Sequence, residues 1–274
     1  MSGPSPSAGA ILRTAGLGFV YPDGTRALSA VDLAVEPGQR LAMVGQNGSG
    51  KSTLVRHFNG LLRATEGQVE VAGREVGRRH VAELARIVGI AFQNPDRQVF
   101  SGRVQSEVAF GARNLGLDQA EVAARVTEAL ATVGLADAAE TNPYDLGYSR
   151  RKLLALASIL AMHTPVVILD EPTTGQDARG VARLRGIVAA LADEGRTVVA
   201  VSHDMRFVAE MFERVVVMRA GTIVADGTPA ETFAEAAWPT LASTYLEPPL
   251  AARVGARLGL GSTPTEASLL AALG

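Results

Sequence analysis

The sequence predicts an α/β fold with a mixed, largely parallel sheet, an antiparallel β edge, an inserted helical subdomain and a small helical appendage at the C-terminus. Three observations predict it. Apolar strands alternate with helical patterns in a βαβ rhythm, which implies a parallel sheet. A glycine-rich turn joins one buried strand directly to a helix. A long helical stretch separates this strand from the later ones.

Length and composition narrow the class of protein. The 274 residues can bury a core large enough for one main domain with a modest appendage. The 26 basic and 28 acidic residues give a net charge of -2, which provides no general attraction for nucleic acid. No cysteine is present, which excludes disulfides and cysteine-ligated metals and favours a reducing cytoplasm. The longest apolar run, "LLALASILAM", is about half of the roughly 20 residues that a membrane span needs. We therefore expect no nucleic-acid partner and no membrane-spanning helix.

The first part of the chain predicts strands, a loop and a helix. Residues 1–10 lack the charged and apolar regions of a signal peptide and predict a disordered leader. Residues 11–44 alternate apolar and polar residues around two turn signals, so short antiparallel strands are expected. The buried-type strand "RLAMVG" then leads through the glycine-rich turn into the helix "KSTLVRHFNGLL", which should end near Gly60.

The remainder predicts a helical insertion, a return to the sheet and a helical tail. Residues 103–162 are mostly helical in pattern, with Asp118 as a cap and Gly134 as the end of one helix. The strand "VVILD", a long helix and the strand "TVVAVS" form a βαβ unit, and a strand pair around "RAGTIVADG" closes the sheet. We predict a main domain over 11–234, with the helical insertion at about 94–162, and a C-terminal helical extension over 235–274.

The strongest chemical signal is "GQNGSGKS", which fits the phosphate-loop pattern of glycine, four residues and then Gly-Lys-Ser. Its backbone N–H groups can surround phosphate oxygens, Lys51 can reach the outer phosphates, and Ser52 can ligate Mg²⁺. The strand before it and the helix after it fit a P-loop NTPase core. The expected ATP-binding residues of this segment are Gly45, Gln46, Asn47, Gly48, Ser49, Gly50, Lys51, Ser52 and Thr53.

Two carboxylates follow a later buried strand. Asp170 and Glu171 would emerge at the carboxyl edge of the sheet, where nucleotides bind. Asp170 can hold Mg²⁺, and Glu171 can polarise a water in line with the γ-phosphate. Alone, the pair could be solvated acids that end a strand; with the phosphate loop it predicts nucleotide hydrolysis. His203, just after the next strand, could contact the γ-phosphate.

In this order, the motifs resemble the nucleotide-binding subunit of an ABC transporter over roughly residues 11–230. The resemblance implies that ATP and Mg²⁺ are the cofactors and that Tyr21 stacks on adenine. It places Gln93 of "AFQNPDRQVF" in the loop between core and helical regions, as a catalytic residue and Mg²⁺ ligand. It also implies that Asp177 of "TTGQD" lies in the dimer-contact loop and that His203 is the γ-phosphate sensor.

The signature of this superfamily departs from its usual form. Leu-Ser-Gly-Gly-Gln, which the family presents at a helix N-terminus to the nucleotide of the opposite subunit, here reads Leu146-Gly147-Tyr148-Ser149-Arg150. A ring stands where bare backbone is expected, and Gly147 replaces the phosphate-binding serine. The helix N-terminus and Arg150 can still attract an anion. We expect altered nucleotide contact here, and a heterodimer whose second ATPase subunit carries an intact signature.

Within the superfamily, "FQNPDRQVF" and the tail "YLEPPLAARVGARLGL" with "PTEASLLAALG" are similar to the ATPases of energy-coupling factor importers for vitamins, cobalt or nickel. In that group the tail helps two ATPases to pair. The resemblance implies an ATP-hydrolysing subunit that drives an importer through integral membrane subunits at the inner face of the cell membrane. Two alternatives stay open: an ATP-binding regulatory half with weak hydrolysis, and a soluble P-loop ATPase outside transport.

Overall fold

A computed structural model describes residues 9–274. The chain forms two units: the first contains the chain up to Leu84 together with Val199–Gly274, and the second contains Ala85–Val198. The leader predicted for residues 1–10 lies outside the described residues, apart from its last two.

The first unit opens with β1 (Leu12–Val20), β2 (Arg26–Val35), β3 (Arg40–Val44), α1 (Lys51–Phe58), β4 (Glu66–Val71), β5 (Arg74–Glu75) and α2 (Val81–Leu84). The second contains β6 (Val88–Ala91), α3 (Val104–Asn114), α4 (Gln119–Val133), α5 (Tyr148–Leu160), β7 (Val166–Asp170) and α6 (Ala178–Asp193). Strand β8 (Thr197–Val201) passes from the second unit into the first. There follow α7 (Met205–Met211), β9 (Arg214–Arg219), β10 (Thr222–Gly227), α8 (Pro229–Thr232), α9 (Trp238–Ala242), α10 (Leu250–Arg257) and α11 (Glu266–Leu273).

One sheet of the first unit is wholly antiparallel. Its strands lie in the order β2-β1-β4-β5. One face is packed on the core, because Leu12, Leu28, Val35 and Val71 are fully buried while polar residues lie between them. The antiparallel pairing predicted for residues 11–44 is confirmed for β1 and β2, whereas β3, also in this range, pairs in parallel with β9.

The other strands of the first unit lie in the order β10-β9-β3-β8. Strand β3 pairs in parallel with β9, and β10 is antiparallel to β9. Leu41 to Val44 of β3 are fully buried, as expected for a strand covered on both faces. Just after β8, the Ser202 N–H donates to the Met43 carbonyl at 3.1 Å. The segments that follow β3 and β8 consequently start close together.

The second unit combines a parallel strand pair with helices. Strands β6 and β7 pair in parallel, with Val88 opposite Val166. Helices α3, α4 and α5 pack against one another. The Asp118 carboxylate accepts from the Glu121 N–H at 2.8 Å, and Gly134 ends α4 at a φ of +66°. Both predicted ends of this helix are confirmed.

The C-terminal residues form helices α10 and α11. Ala251, Ala252 and Gly255 of α10 are buried, whereas no residue of α11 is. Glu266 in the first turn of α11 pairs with Arg206 of α7 at 3.0 Å. Across residues 9–274 we find no helix with the length and apolarity that crossing a membrane requires. The predicted fold class is confirmed, and the domain boundary at residue 234 stays a prediction.

Candidate functional site

The predicted site residues are divided between the two units. Tyr21, the phosphate loop and His203 belong to the first unit; Gln93, the altered signature, Asp170, Glu171 and Asp177 belong to the second.

The phosphate loop has a backbone that only glycine allows at two positions. Gly45 has a φ of +149° and Gly50 a φ of +102°. A Cβ atom at Gly45 would lie 2.2 Å from the Met218 carbonyl oxygen, and one at Gly50 would lie 2.7 Å from that of Ala27. The glycines of the motif are therefore required for the loop to lie this close to its neighbouring backbone.

Lys51, the first residue of α1, lies within this loop. Its Nζ donates to the Gly45 oxygen at 2.7 Å, the Gln46 oxygen at 2.8 Å and the Ser49 Oγ at 3.2 Å. The side chain is buried, so its charge acts in a medium that screens it weakly. A tight glycine loop, a helix N-terminus and a fixed ammonium together fit the phosphates of a nucleotide.

Tyr21 is joined to the helix that follows the loop. Its hydroxyl lies 2.9 Å from the Thr53 Oγ1, and the Phe19 ring contacts both Tyr21 and His57 edge-on, with ring centroids 4.8 and 4.9 Å apart. His57 is fully buried, and its Nδ1 lies 2.8 Å from the Thr53 carbonyl oxygen. Burial lowers the pKa of His57, because it disfavours the charged ring more than the Thr53 carbonyl favours it.

His203 is exposed at the turn between β8 and α7. The turn itself is held by its neighbours. The Asp204 N–H donates to the Ser202 Oγ at 3.1 Å, and the Asp204 carboxylate accepts from the Phe207 N–H at 3.0 Å, which caps α7. These two bonds of Asp204 hold the backbone next to His203.

In the second unit, the two carboxylates occupy the end of β7. Asp170 is the last residue of the strand and is buried, as is Glu171. Glu171 has a φ of +53°, a left-handed conformation that non-glycine residues seldom adopt. One of its carboxylate oxygens accepts from the Thr174 hydroxyl at 3.4 Å.

Lys152 of α5 was not among the residues predicted from sequence. Its Nζ donates to the carbonyl oxygens of Glu171 at 2.5 Å and Thr174 at 2.9 Å. Burial lowers the pKa of Lys152 to about 8, while the Glu171 and Asp170 carboxylates oppose that shift. The sequence offers one signal for it, a lysine that directly precedes the apolar run "LLALA".

The altered signature begins α5, and its side chains contact their own unit. Tyr148 is the first residue of the helix, and its hydroxyl donates to the Gln93 carbonyl at 3.3 Å. Its ring lies beside Gly175, where an added Cβ would be 2.8 Å from the Tyr148 Cε1. Arg150 pairs with Asp137 at 2.8 Å.

Ser149 contacts the segment that leads to Asp177. Its hydroxyl donates to the Gln176 Oε1 at 2.7 Å, and the Gln176 Nε2 donates back to the Ser149 carbonyl at 3.1 Å. Asp177 caps α6 by accepting from the Gly180 N–H at 2.7 Å. The signature is thereby tied to both the Gln93 loop and the predicted dimer-contact loop. Leu146, the first residue of the signature, is buried.

The described residues contain no group of three or more His, Cys, Asp or Glu side chains that could hold a metal by itself. Of the residues predicted to ligate Mg²⁺, Ser52 lies in the first unit and Gln93 and Asp170 lie in the second. This donor set consists of oxygen atoms, the type that Mg²⁺ prefers together with substrate phosphates.

Comparison with known proteins gives the family. The sequence pattern of the ABC transporter family matches residues 28–174. The energy-coupling factor transporter ATP-binding protein EcfA of Methanoculleus marisnigri is 45% identical over 224 residues, covering 81% of each chain. The structure of CbiO1 from Clostridium perfringens, part of the ABC transporter complex CbiONQ, matches with a TM-score of 0.75 at 33% identity, covering 92% of this chain and 99% of CbiO1. The ATP-binding cassette MJ0796, solved as a dimer with ADP and Pi, matches in fold with a TM-score of 0.74 at 23% identity, covering 79% of this chain and 98% of MJ0796.

The chain belongs to the ABC transporter family of ATP-binding proteins. Within that family it is an ATPase subunit of the energy-coupling factor type. The family predicted from the motifs is therefore confirmed.

Proposed function

We propose that this chain is the catalytically competent half of a heterodimeric ATPase that powers an energy-coupling factor importer. Its partner ATPase carries an intact signature, and integral membrane subunits hold the pair at the inner face of the cell membrane. One contrast carries the proposal: the phosphate loop is complete, whereas the altered signature side chains of Tyr148, Ser149 and Arg150 are engaged with their own unit.

In this proposal the first unit binds ATP through two features. The loop N–H groups and Lys51 bind the phosphates, and Tyr21 stacks on the adenine. Ser52, Gln93 and Asp170 would hold Mg²⁺, which, when bound, neutralises charge on the phosphate oxygens. Support comes from the loop geometry and from Tyr21, whose hydroxyl bond to Thr53 joins the ring to the helix of the phosphate loop.

Glu171 is the proposed water-polarising residue, and His203 the contact to the γ-phosphate. The Glu171 carboxylate is buried at the end of β7, where it can accept a proton from an attacking water. The Thr174 hydroxyl restricts the direction of the Glu171 side chain. His203 is exposed on a fixed turn, as a residue that contacts substrate has to be.

Two surfaces support the proposed partners. Phe100 and Phe110 are 59% and 49% exposed, and their rings contact edge-on at 4.8 Å; exposed Tyr144 donates to the carbonyl of adjacent Val99. We assign this aromatic patch, Phe100, Phe110 and Tyr144, to the membrane subunits, since exposed apolar clusters mark interaction sites.

The C-terminal extension supports the pairing of the two ATPases. Its exposed leucines are Leu250, Leu258, Leu270 and Leu273. No leucine of α11 is buried. The helix is nevertheless held in place, because Thr265 caps its N-terminus and Glu266 pairs with Arg206. A second ATPase would cover them.

The test is Glu171→Gln in the assembled complex. The amide keeps the shape of the carboxylate but cannot accept a proton from water, so turnover should fall about 100-fold while ATP affinity stays within about threefold. Lys51→Ala is the matched variant for binding, because it removes an ammonium from the phosphates and should weaken ATP affinity at least about tenfold. Wild-type turnover by Glu171→Gln would refute the catalytic role. Failure of the chain to co-purify with membrane subunits from detergent extracts would refute the transport role.

A further inference from the structure

Lysine is used at only two positions of this chain. Of its 26 basic residues, all but Lys51 and Lys152 are arginines. Both lysines are buried, and both donate from Nζ to backbone carbonyl oxygens of loops that follow strands of the parallel type. Lys51 belongs to the phosphate loop. Lys152 contacts the turn after β7, the turn that contains Glu171.

The geometry at Lys152 is that of a clamp on this turn. The carbonyl oxygens of Glu171 and Thr174 accept from one ammonium at 2.5 and 2.9 Å. The Thr174 N–H also donates to the Glu171 oxygen, at 3.3 Å. A single charged group therefore ties together the two ends of the four-residue turn, in a buried environment where such bonds are strong.

Glu171 needs such a restraint, because its backbone is left-handed at a φ of +53°. A non-glycine residue seldom adopts this conformation, and it persists only where its surroundings hold it. Relaxation to a right-handed or extended backbone would redirect the Cα–Cβ bond and with it the carboxylate. The Lys152 bond is made to the carbonyl of Glu171 itself, so it acts on the ψ torsion that relaxation would change.

We propose that Lys152 is a positioning residue for hydrolysis: its ammonium holds the Glu171–Thr174 turn in the left-handed conformation that aims the Glu171 carboxylate. This rests on the proposed role of Glu171 as the water-polarising residue. Because Lys152 lies in α5, the helix that begins with the altered signature at Tyr148, the same bond also links the signature helix to the catalytic turn of its own chain.

The side-chain chemistry fits this task. An ammonium has three donors around one atom and can bind two carbonyls that converge on it, whereas a guanidinium spreads its donors over a planar fork. This accounts for a lysine in a chain that uses arginine at almost every other basic position.

The decisive experiment is a double-mutant cycle of Lys152→Met and Glu171→Gln in the assembled complex, read as kcat, with ATP affinity and melting temperature measured beside it. Lys152→Met removes the donors but keeps an unbranched chain of similar length. Alone, it should lower kcat about tenfold with ATP affinity changed less than about threefold. In the Glu171→Gln background it should cause no further loss, since the carboxylate that it positions is already absent.

Each outcome of the cycle either supports or overturns the positioning role of Lys152. If the two losses multiply, Lys152 acts by a route other than Glu171 and the proposal is overturned; an unchanged kcat in folded Lys152→Met overturns it as well. If Glu171→Gln itself leaves kcat unchanged, the proposed function fails first. Arg196→Met is the matched control, because Arg196 is another largely buried cation of the second unit that donates to a backbone carbonyl, that of Thr164 at 2.8 Å. It should lower the melting temperature and leave kcat within about twofold.

A second variant, which keeps a hydrogen-bond donor at residue 152, allows the test even if Lys152→Met does not fold. Lys152→Gln is shorter and neutral but retains an NH₂ group, so it should lie between wild type and Lys152→Met in kcat. If Lys152→Met is not recovered folded, the cycle is run with Lys152→Gln, and multiplicative losses there overturn the proposal in the same way.

Discussion

At the scale of the residue, Tyr21 has two functional parts that can be separated. Its ring provides the aromatic face that would stack on adenine. Its hydroxyl bonds to Thr53, two residues after the lysine of the phosphate loop. Stacking depends on the area of the ring, whereas the hydroxyl bond fixes where the ring lies.

We therefore expect Tyr21→Ala to lower ATP affinity about tenfold, because an aromatic contact worth about 1 kcal/mol is lost together with buried area. Tyr21→Phe should lose no more than about threefold. Because stacking recognises area rather than base edges, GTP should lose affinity in parallel. Calorimetry on the isolated chain measures all three, with Tyr245→Ala, a tyrosine that is 85% exposed, as the control. Equal affinity in Tyr21→Ala and wild type would place the adenine platform elsewhere.

The residue scale also shows what a sequence can and cannot predict of a site. The places of Lys51, Asp170 and Glu171 in the fold could be predicted, because each stands at a fixed offset from a strand end or glycine within one short motif. Tyr148 and Lys152 make their bonds to residues 55 and 19 positions away, at Gln93 and Glu171. No local pattern encodes such partners, since the fold alone brings them together.

At the scale of the element, helices and strands with strong local sequence signals were predicted, and those without such signals were not. Helix α4 was predicted at both ends because an aspartate caps its start and a glycine in the left-handed conformation stops it. Strand β6 has only four residues, Val88–Ala91, with no alternation of apolar and polar residues, so periodicity could not reveal it. Its existence depends on pairing with β7, a tertiary contact.

At this scale we predict that helix α3 contributes to the binding of the membrane subunits, because it contains Phe110 of the aromatic patch. Phe110→Ser should abolish co-purification with membrane subunits, since it removes half of an exposed ring pair from the proposed interface. ATP affinity of the isolated chain should stay within about twofold. Leu61→Ser is the control, as Leu61 is similarly exposed, at 47%, but belongs to the first unit. Retained co-purification of Phe110→Ser would remove the patch from the interface.

At the scale of the whole molecule, the proposed ATPase pair has two unequal sites. In this superfamily each site takes its phosphate loop from one chain and its signature from the other. The phosphate loop here would face an intact signature, and the altered signature would face the loop of the partner. The bonds of Ser149 and Gln176 in both directions make the altered signature a fixed part of its own unit.

Tyr148→Gly tests this inequality in the assembled complex. Restoring a glycine at the altered signature should change ATP turnover less than about threefold, whereas Glu171→Gln should abolish most of it, because the two substitutions fall on different sites. The readout is steady-state turnover of the purified heterodimer. Vigorous hydrolysis by this chain alone, lost in Ser149→Ala, would mean that the altered signature is a working variant and that a homodimer suffices.

Because the backbone of Glu171 is left-handed, the residue that favours stability at this position differs from the residue that ATP hydrolysis requires. Glycine adopts this conformation without strain, so Glu171→Gly should relieve roughly 1 kcal/mol of the cost at that turn while removing the carboxylate. A screen of variants for heat tolerance or expression yield would then enrich inactive proteins at residue 171. Engineering of this chain for durability consequently has to hold that position fixed and seek its gains elsewhere.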